Sequence, residues 1–174
     1  MVKVSLRKPL IGDADEFTAA VKRSRALHRG LVTPPDNGDK FRAYLKSLES
    51  SGQEGFLIIH EKSGDIAGVL NVNEIVRGAF QSAYLGYYAF SPFAGQGLMR
   101  EGMKQVIRQC FTTLKLHRLE ANIQPANSRS IALVQSLGFR CEGLSPAYLK
   151  VSGRWRDHQR WAILNSEWKS SKIK

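Results

Sequence analysis

The stretch from Leu85 to Gly102 constrains the fold of this chain most, because three kinds of local sequence follow one another in it. An apolar, aromatic run ends at Pro92, small residues follow from Ala94 to Gly97, and a helical pattern then begins. A strand, a glycine loop and a helix in this order present free backbone N–H groups at a positive helix end. Such a site binds a phosphate or pyrophosphate without a charged side chain. The stretch therefore predicts a phosphate-binding site.

Apolar periodicity along the rest of the chain predicts alternating blocks of strands and helices. The predicted strands cover residues 4–7, 55–60, 66–75, 82–90, 118–123, 139–142, 147–151 and 155–164. The predicted helices cover residues 13–27, 41–48, 98–114 and 127–137. Several strands follow one another as hairpins, which indicates an α+β fold around one mixed sheet. We expect residues 1–174 to form a single domain, with a frayed tail from Lys169 to Lys174.

The amino-acid composition limits which binding partners and which kinds of binding site are expected. The net charge is +11, which favours an anionic ligand or an anionic partner such as a ribonucleoprotein surface, although a solvated basic surface would give the same count. No motif for direct nucleic-acid binding is visible. Cys110, Cys141 and four scattered histidines lack metal-ligand spacing, so no metal is expected, and Cys110 is expected to be a small buried hydrophobe. The apolar runs are too short to cross a membrane, which predicts a cytoplasmic location.

Two familiar glycine-loop chemistries fit the stretch poorly. A loop that binds nucleoside triphosphates would end in Gly-Lys-Ser/Thr, and this chain has no such ending. A dinucleotide fingerprint begins well at Gly95-Gln96-Gly97, and Glu120 lies at about the spacing of a ribose-binding acid. However, Arg100 occupies the position of the third glycine, the strand continues past Glu120, and repeated βαβ units are missing.

A third chemistry fits an ordered set of motifs that extends over nearly the whole chain. Gly95-Gln96-Gly97-Leu98-Met99 forms the loop, and further motifs lie before and after it. They are Ile75-Val76-Arg77-Gly78-Ala79-Phe80, Tyr84-Leu85-Gly86-Tyr87, His117-Arg118-Leu119-Glu120-Ala121-Asn122, Asn127-x-x-Ser130, Leu137-Gly138-Phe139, Glu142-Gly143 and Gly153-Arg154-Trp155-Arg156-Asp157-His158. This set resembles the GCN5-related N-acetyltransferase (GNAT) superfamily, in the form of the RimJ/RimL-type ribosomal-protein N-terminal acetyltransferases.

The resemblance implies a single mixed, mostly antiparallel sheet flanked by helices, with acetyl-CoA in a V-shaped split between its two central parallel strands, 82–90 and 118–123. It implies that main-chain groups near the end of the first strand pair with the pantetheine arm, that the loop and helix start hold the pyrophosphate, and that Asn127 contacts the CoA arm. The implied cofactor-binding residues are Tyr88, Ala89, Phe90, Gly95, Gln96, Gly97, Leu98, Met99, Arg100 and Asn127. The main-chain N–H of Phe90 is the candidate for polarising the thioester carbonyl.

The catalytic residues follow less directly from the motifs. Many family members carry a tyrosine seven residues after the asparagine to reprotonate the CoA thiolate, and Val134 stands there in this chain. By resemblance to the RimL type, Ser130 is the replacement candidate, with a plain helix-surface serine as the alternative. Glu74 is a candidate base and Tyr148 a candidate wall of the acceptor channel, although a solvated carboxylate and a core tyrosine fit the sequence as well. Asp157 is a second candidate base, interpreted as structural through a bond to its neighbour Arg156 or His158.

The resemblance predicts an acetyl-CoA-dependent N-acetyltransferase that needs no metal. The predicted acceptor is a protein N-terminal α-amine, in particular an N-terminal alanine of a ribosomal protein. Two alternatives stay open: a small-molecule acetyltransferase acting on an amino acid, polyamine or drug, and a CoA-binding or ribosome-associated regulatory module with little catalysis. The sequence fits a monomer or a homodimer and predicts no membrane partner.

Overall fold

The computed structural model describes residues 3–170, which form one seven-stranded sheet with helices on both faces. The strands are β1 Val4–Arg7, β2 Glu54–His60, β3 Ile66–Val76, β4 Ser82–Ala89, β5 Arg118–Ile123, β6 Arg140–Val151 and β7 Arg154–Leu164. The helices are α1 Ala14–Arg23, α2 Arg25–His28, α3 Gly38–Ser47, α4 Leu98–Thr112, α5 Ser128–Ser136 and α6 Asn165–Ser170, and a short 3-10 turn at Ile11–Asp13 precedes α1.

The strand order in the sheet is β1-β2-β3-β4-β5-β7-β6. All neighbouring strands are antiparallel except β4 and β5, which are parallel and are connected through the glycine loop and α4. This arrangement confirms the predicted α+β fold with one mixed, mostly antiparallel sheet. Within residues 3–170, no helix combines the length and the apolar character that a membrane crossing needs.

The two faces of the sheet are covered by different helices because the apolar residues alternate along the strands. On one face α4 and α5 pack over β3, β4, β5 and β7, with Met103, Ile107 and Leu119 fully buried. On the other face α1 and α3 bury Phe17 and Phe41. Cys110 of α4 is buried, and burial raises the pKa of its thiol to about 12, so it is the small core hydrophobe that was expected.

The predicted helix 13–27 is wrong in one respect, because the chain breaks it at Ser24. The Ser24 hydroxyl donates to Ala20 O at 2.7 Å and accepts the backbone N–H of Ser91 at 2.9 Å. This side chain therefore ties the end of α1 to the loop after β4, and α2 starts again at Arg25. A bond to a residue so distant along the chain leaves no periodic signal in the sequence.

Other elements also differ from the prediction. Helix α3 begins at Gly38 rather than residue 41, because the Asn37 side chain caps it by accepting the N–H of Lys40 at 2.9 Å. Residues 140–151 form one strand rather than two, and the irregularities near Gly143 and Ala147 are absorbed as bulges at the sheet edge. The sequence interpretation also missed helix α6, and the rest of the predicted frayed tail, residues 171–174, lies outside the described residues.

Candidate active site

The two central parallel strands separate soon after they begin. Strand β4 pairs with β5 only from Ser82 to Tyr84, opposite Arg118 to Glu120, and the remaining residues of both strands diverge. A cleft of about 710 Å³ occupies the space between them. It is lined by the ends of both strands, the glycine loop, the first turns of α4 and α5, and the segment around α2.

The pairing of β4 with β3 determines which backbone groups face this cleft. The N–H of Phe90 donates to Ala67 O at 2.8 Å, so Phe90 and Ala67 form a hydrogen-bonded antiparallel pair. The backbone N–H and C=O groups of successive residues in a strand point to opposite sides. Those of Tyr88, two residues before Phe90, therefore also point to β3. The main-chain groups of Leu85, Tyr87 and Ala89 point the other way, into the split between β4 and β5.

This alternation changes the expected assignment of the main-chain contacts. The predicted role of the Phe90 N–H in polarising a thioester carbonyl does not fit, since that N–H is already bonded within the sheet and the side chain is fully buried. The N–H of Ala89 has the required direction and lies in the cleft wall. The Tyr88 side chain also lines the cleft, although its backbone does not face it.

The glycine loop joins the end of β4 to the start of α4 at one end of the cleft. Gly95 and Gly97 have φ angles of 82° and 81°, in the left-handed region that only glycine adopts without strain. Gly97 immediately precedes α4, so the first N–H groups of the helix, at Leu98, Met99 and Arg100, lack carbonyl partners inside the helix. Gln96 turns away, and its side-chain amide donates to Pro92 O at 2.9 Å.

Two side chains at the start of α4 fix its position relative to neighbouring elements. The Arg100 guanidinium donates to the hydroxyl and the carbonyl of Ser136, at 3.1 and 3.4 Å, which ties α4 to the end of α5. The Met99 side chain packs toward Gly68 of β3. Both residues also line the cleft, together with Gly95, Gly97 and Leu98, whereas Gln96 does not.

Asn127 and Ser130 lie at the start of α5 on the opposite wall. The Asn127 side chain accepts the backbone N–H of Ser130 at 3.2 Å and so caps the helix. The Ser130 hydroxyl lies 2.6 Å from the hydroxyl of Tyr87, which reaches it from β4. The sequence motifs gave Tyr87 no role of its own, and the period-two placement of its side chain beside the split is the signal that could have indicated one.

The other two catalytic candidates are not brought into the lining of the cleft. Glu74 is exposed, with a φ of 49°, at an irregularity in the pairing of β3 with β4. Tyr148 lies beside His158, with ring centroids 6.3 Å apart. The Asp157 carboxylate accepts the N–H of Ala147 at 2.8 Å, rather than a bond from the expected neighbours Arg156 or His158.

His28 is a cleft residue that the sequence interpretation missed. Its Nε2 donates to Ala89 O at 2.9 Å, and its ring packs edge-on against Tyr88 at a centroid distance of 5.4 Å. The bond to a carbonyl requires the Nε2–H tautomer, which leaves Nδ1 as an unprotonated nitrogen; within residues 3–170 this buried atom has no hydrogen-bond partner. Burial lowers the pKa of His28, partly opposed by the bond to Ala89.

This lowered pKa predicts a loss of stability in mild acid. The unfolded chain takes up the His28 proton near pH 6.5, whereas the folded chain resists it, so the stabilisation is complete above about pH 6.5 and is lost as the pH falls below it. We expect the free energy of unfolding of the wild type, measured with urea, to fall between pH 7.5 and 5.5. His28→Gln should flatten that slope and the exposed control His117→Gln should keep it; equal slopes in all three proteins would contradict the prediction.

Within residues 3–170, no group of three or more His, Cys, Asp or Glu side chains is arranged to hold a metal ion. The cleft lining offers hydroxyl groups, the imidazoles of His28 and His158, the guanidinium groups of Arg100 and Arg129, side-chain amides and backbone N–H groups.

The family model and the similar proteins of known sequence all point to the same family. The family model described as "Acetyltransferase (GNAT) domain" matches residues 3–140. The probable N-acetyltransferase YjcK of Bacillus subtilis is 36% identical over 124 residues, which are 71% of this chain and 68% of that protein. The [ribosomal protein uS5]-alanine N-acetyltransferase of Escherichia coli is 41% identical over 104 residues, which are 60% of this chain and 54% of that protein. The chain thus matches about half the length of the E. coli protein.

Solved structures resemble the whole described fold. Mycobacterium smegmatis RimJ in complex with CoA-disulfide superposes with a TM-score of 0.86 and 29% identity, over 94% of this chain and 83% of that one. The Vibrio cholerae spermidine N-acetyltransferase in complex with CoA and spermine has a TM-score of 0.81 at 20% identity, over 95% and 98% of the two chains. At that identity the second likeness shows the fold alone.

Proposed function

Since this chain belongs to the GNAT acetyltransferase family and is an N-acetyltransferase, we propose that it transfers the acetyl group of acetyl-CoA to the α-amine at the N-terminus of a protein. The proposal includes the CoA site, the acceptor and a cytoplasmic location, where acetyl-CoA and newly made proteins meet.

The separation of β4 and β5 beyond Tyr84 is the observation that carries the proposal. It leaves the main-chain groups of Tyr87 and the N–H of Ala89 facing an open cleft, where an extended pantetheine arm can pair with them as a further strand would; the Ala89 carbonyl is bonded to His28. The start of α4 lies at the same end of the cleft and offers its first N–H groups to the pyrophosphate. Asn127 caps α5 through its side chain and also lines the cleft, where it can contact the CoA arm.

The chemistry requires a neutral amine, because only a nitrogen with a free lone pair attacks a thioester carbonyl. An α-amine has a pKa of about 7.7–8.0 and a lysine side chain one of about 10.4, so near neutral pH the neutral fraction of the α-amine is roughly two to three orders of magnitude larger. An α-amine acceptor therefore needs little help from a base. The absence of a carboxylate from the cleft lining, among residues 3–170, suits such an acceptor.

The names of the relatives support a ribosomal protein as the acceptor, because the E. coli protein is described as acetylating an alanine of ribosomal protein uS5 and the M. smegmatis structure as a RimJ. A net charge of +11 suits an acceptor that is presented beside RNA. In this proposal Ser130 protonates the leaving sulfur, whereas Glu74 and Tyr148 lie outside the lining of the cleft.

One assay tests the reaction and the acceptor together. The purified protein is incubated with acetyl-CoA and each of four acceptors: a peptide that begins with alanine, the same peptide beginning with serine, the alanine peptide blocked at its α-amine but retaining a lysine, and spermidine. Release of the CoA thiol gives the rate, and mass spectrometry gives the position of the acetyl group. We expect the alanine peptide to react fastest and the blocked peptide to react hardly at all.

Each other outcome has a distinct meaning. Turnover on spermidine alone would show that the acceptor is a small amine. Transfer to the blocked peptide at an equal rate would show that a lysine side chain is the acceptor. Tight binding of CoA, with no release of the CoA thiol in the presence of any of these amines, would show that the protein is a CoA-binding module rather than an enzyme.

A further inference from the structure

Two hydroxyl groups from different walls of the cleft form a pair. The hydroxyl of Tyr87 on β4 lies 2.6 Å from the hydroxyl of Ser130 in the first turn of α5, and both residues line the cleft. Asn127 holds the backbone of Ser130 through the capping bond at 3.2 Å. The Ser130 hydroxyl is thus located from two directions, one through its backbone and one through its side chain.

The direction of the bond follows from the acidity of the two groups. A phenol is more acidic than an aliphatic alcohol, so in a bond between the two the phenol donates and the serine oxygen accepts. Burial raises the pKa of Tyr87 to about 12, opposed by the bond to Ser130, so the phenol stays protonated and remains the donor near neutral pH. The proton of the Ser130 hydroxyl is then left to point at a ligand in the cleft.

We infer that Tyr87 is a positioning residue, which holds the Ser130 hydroxyl so that its proton points to the sulfur of the departing CoA. This inference rests on the proposed acetyl transfer. Tyr87 itself need not touch the reacting atoms. Its bond fixes the rotamer of Ser130 and, by withdrawing electron density from the serine oxygen, makes the Ser130 proton easier to give.

The proton balance closes without a further reactant. The amine nitrogen forms a bond to the acetyl carbon, and the bond from that carbon to sulfur breaks with its electron pair on sulfur. The sulfur takes the Ser130 proton, and the Ser130 oxygen takes the surplus proton of the new amide nitrogen on its second lone pair. Ser130 ends neutral, and Tyr87 keeps its own proton throughout.

The test compares Tyr87→Phe, Ser130→Ala and the double variant with the wild type, using the fastest acceptor amine. We expect Ser130→Ala to lower kcat by about 100-fold and Tyr87→Phe to lower it by about tenfold, with the KM for acetyl-CoA within about twofold of the wild type. The double variant should be no slower than Ser130→Ala alone, because Tyr87 acts through Ser130. Ser130→Thr should recover part of kcat when Tyr87 is present and less of it with Tyr87→Phe.

Tyr44→Phe is the matched control, because Tyr44 also donates a part-buried hydroxyl, to Asn71 at 2.7 Å, but in the layer of α3. It should lower the melting temperature about as much as Tyr87→Phe and leave kcat unchanged. This inference would be overturned, and the proposed function left standing, by an unchanged kcat in folded Tyr87→Phe. The same would follow if Tyr87→Phe lowered kcat equally in the wild-type and Ser130→Ala backgrounds. A wild type inactive on every amine would overturn the proposed function and this inference with it.

Discussion

Replacing Gly68 with alanine should lower the free energy of unfolding by about 2 kcal/mol and weaken the binding of acetyl-CoA. A β-carbon at Gly68 would lie 2.8 Å from Met99 Cε and 2.9 Å from Tyr88 O. The methionine tip can move aside, but Tyr88 O belongs to the backbone of β4 and can yield only if the strand moves. That strand also carries Ala89 in the cleft wall, so one methyl group disturbs both the sheet and the proposed CoA site.

Urea unfolding and calorimetric titration with CoA measure the two effects separately. Gly52→Ala is the control, since a β-carbon there has no heavy atom within 4 Å and Gly52 does not need a left-handed φ. We expect the control to change either quantity by less than about 0.5 kcal/mol. Unchanged stability of Gly68→Ala would mean that β3 and β4 can move apart at this end without cost.

Replacing Arg118 with methionine should cost about 2 kcal/mol of folding stability at neutral pH. The Arg118 guanidinium donates to Glu120 at 2.8 Å and, with both of its terminal nitrogens, to the carboxylate of Glu142. Glu142 lies on β6, two strands away across β7. The variant would leave Glu120 and Glu142 without the cation that holds β5 to β6.

The deficit of Arg118→Met should shrink in acid. The bond from Arg118 holds the pKa of Glu142 below its usual value. A lowered carboxyl pKa contributes stability above the unfolded pKa of about 4.3, and this contribution is lost as the pH falls through the folded value. Urea unfolding at pH 7 and pH 3 measures the difference, with the exposed Arg23→Met as control. A deficit of equal size at both pH values would show that packing, and not charge, makes Arg118 important.

The fold could be predicted from the sequence wherever the signal is local. Such local signals are the apolar periodicity of α4, the left-handed glycines before it and the alternation of apolar and polar side chains along β5. In these places the predicted elements match the structure within a few residues. The family motifs added the pairing of two parallel strands, which no local signal gives.

The parts that could not be predicted depend on residues far apart in the chain. The bond of His28 to Ala89 spans 61 positions and that of Tyr87 to Ser130 spans 43. Neither pair has a fixed spacing, because each arises only after the strands and helices are packed. The direction of the Phe90 N–H was missed for a related reason, since the pairing with Ala67 decides which face of the strand is free.

Where β4 and β5 separate, the sheet has a gap that no strand of residues 3–170 fills. In the proposed complex, the missing strand is supplied by a metabolite, so the fold's stability becomes a function of metabolic state. A ligand present at a hundred times its Kd stabilises the protein that binds it by about 2.7 kcal/mol, a large part of the stability of an ordinary domain. The lifetime of the enzyme in a cell would then rise and fall with the supply of the acetyl donor that it consumes.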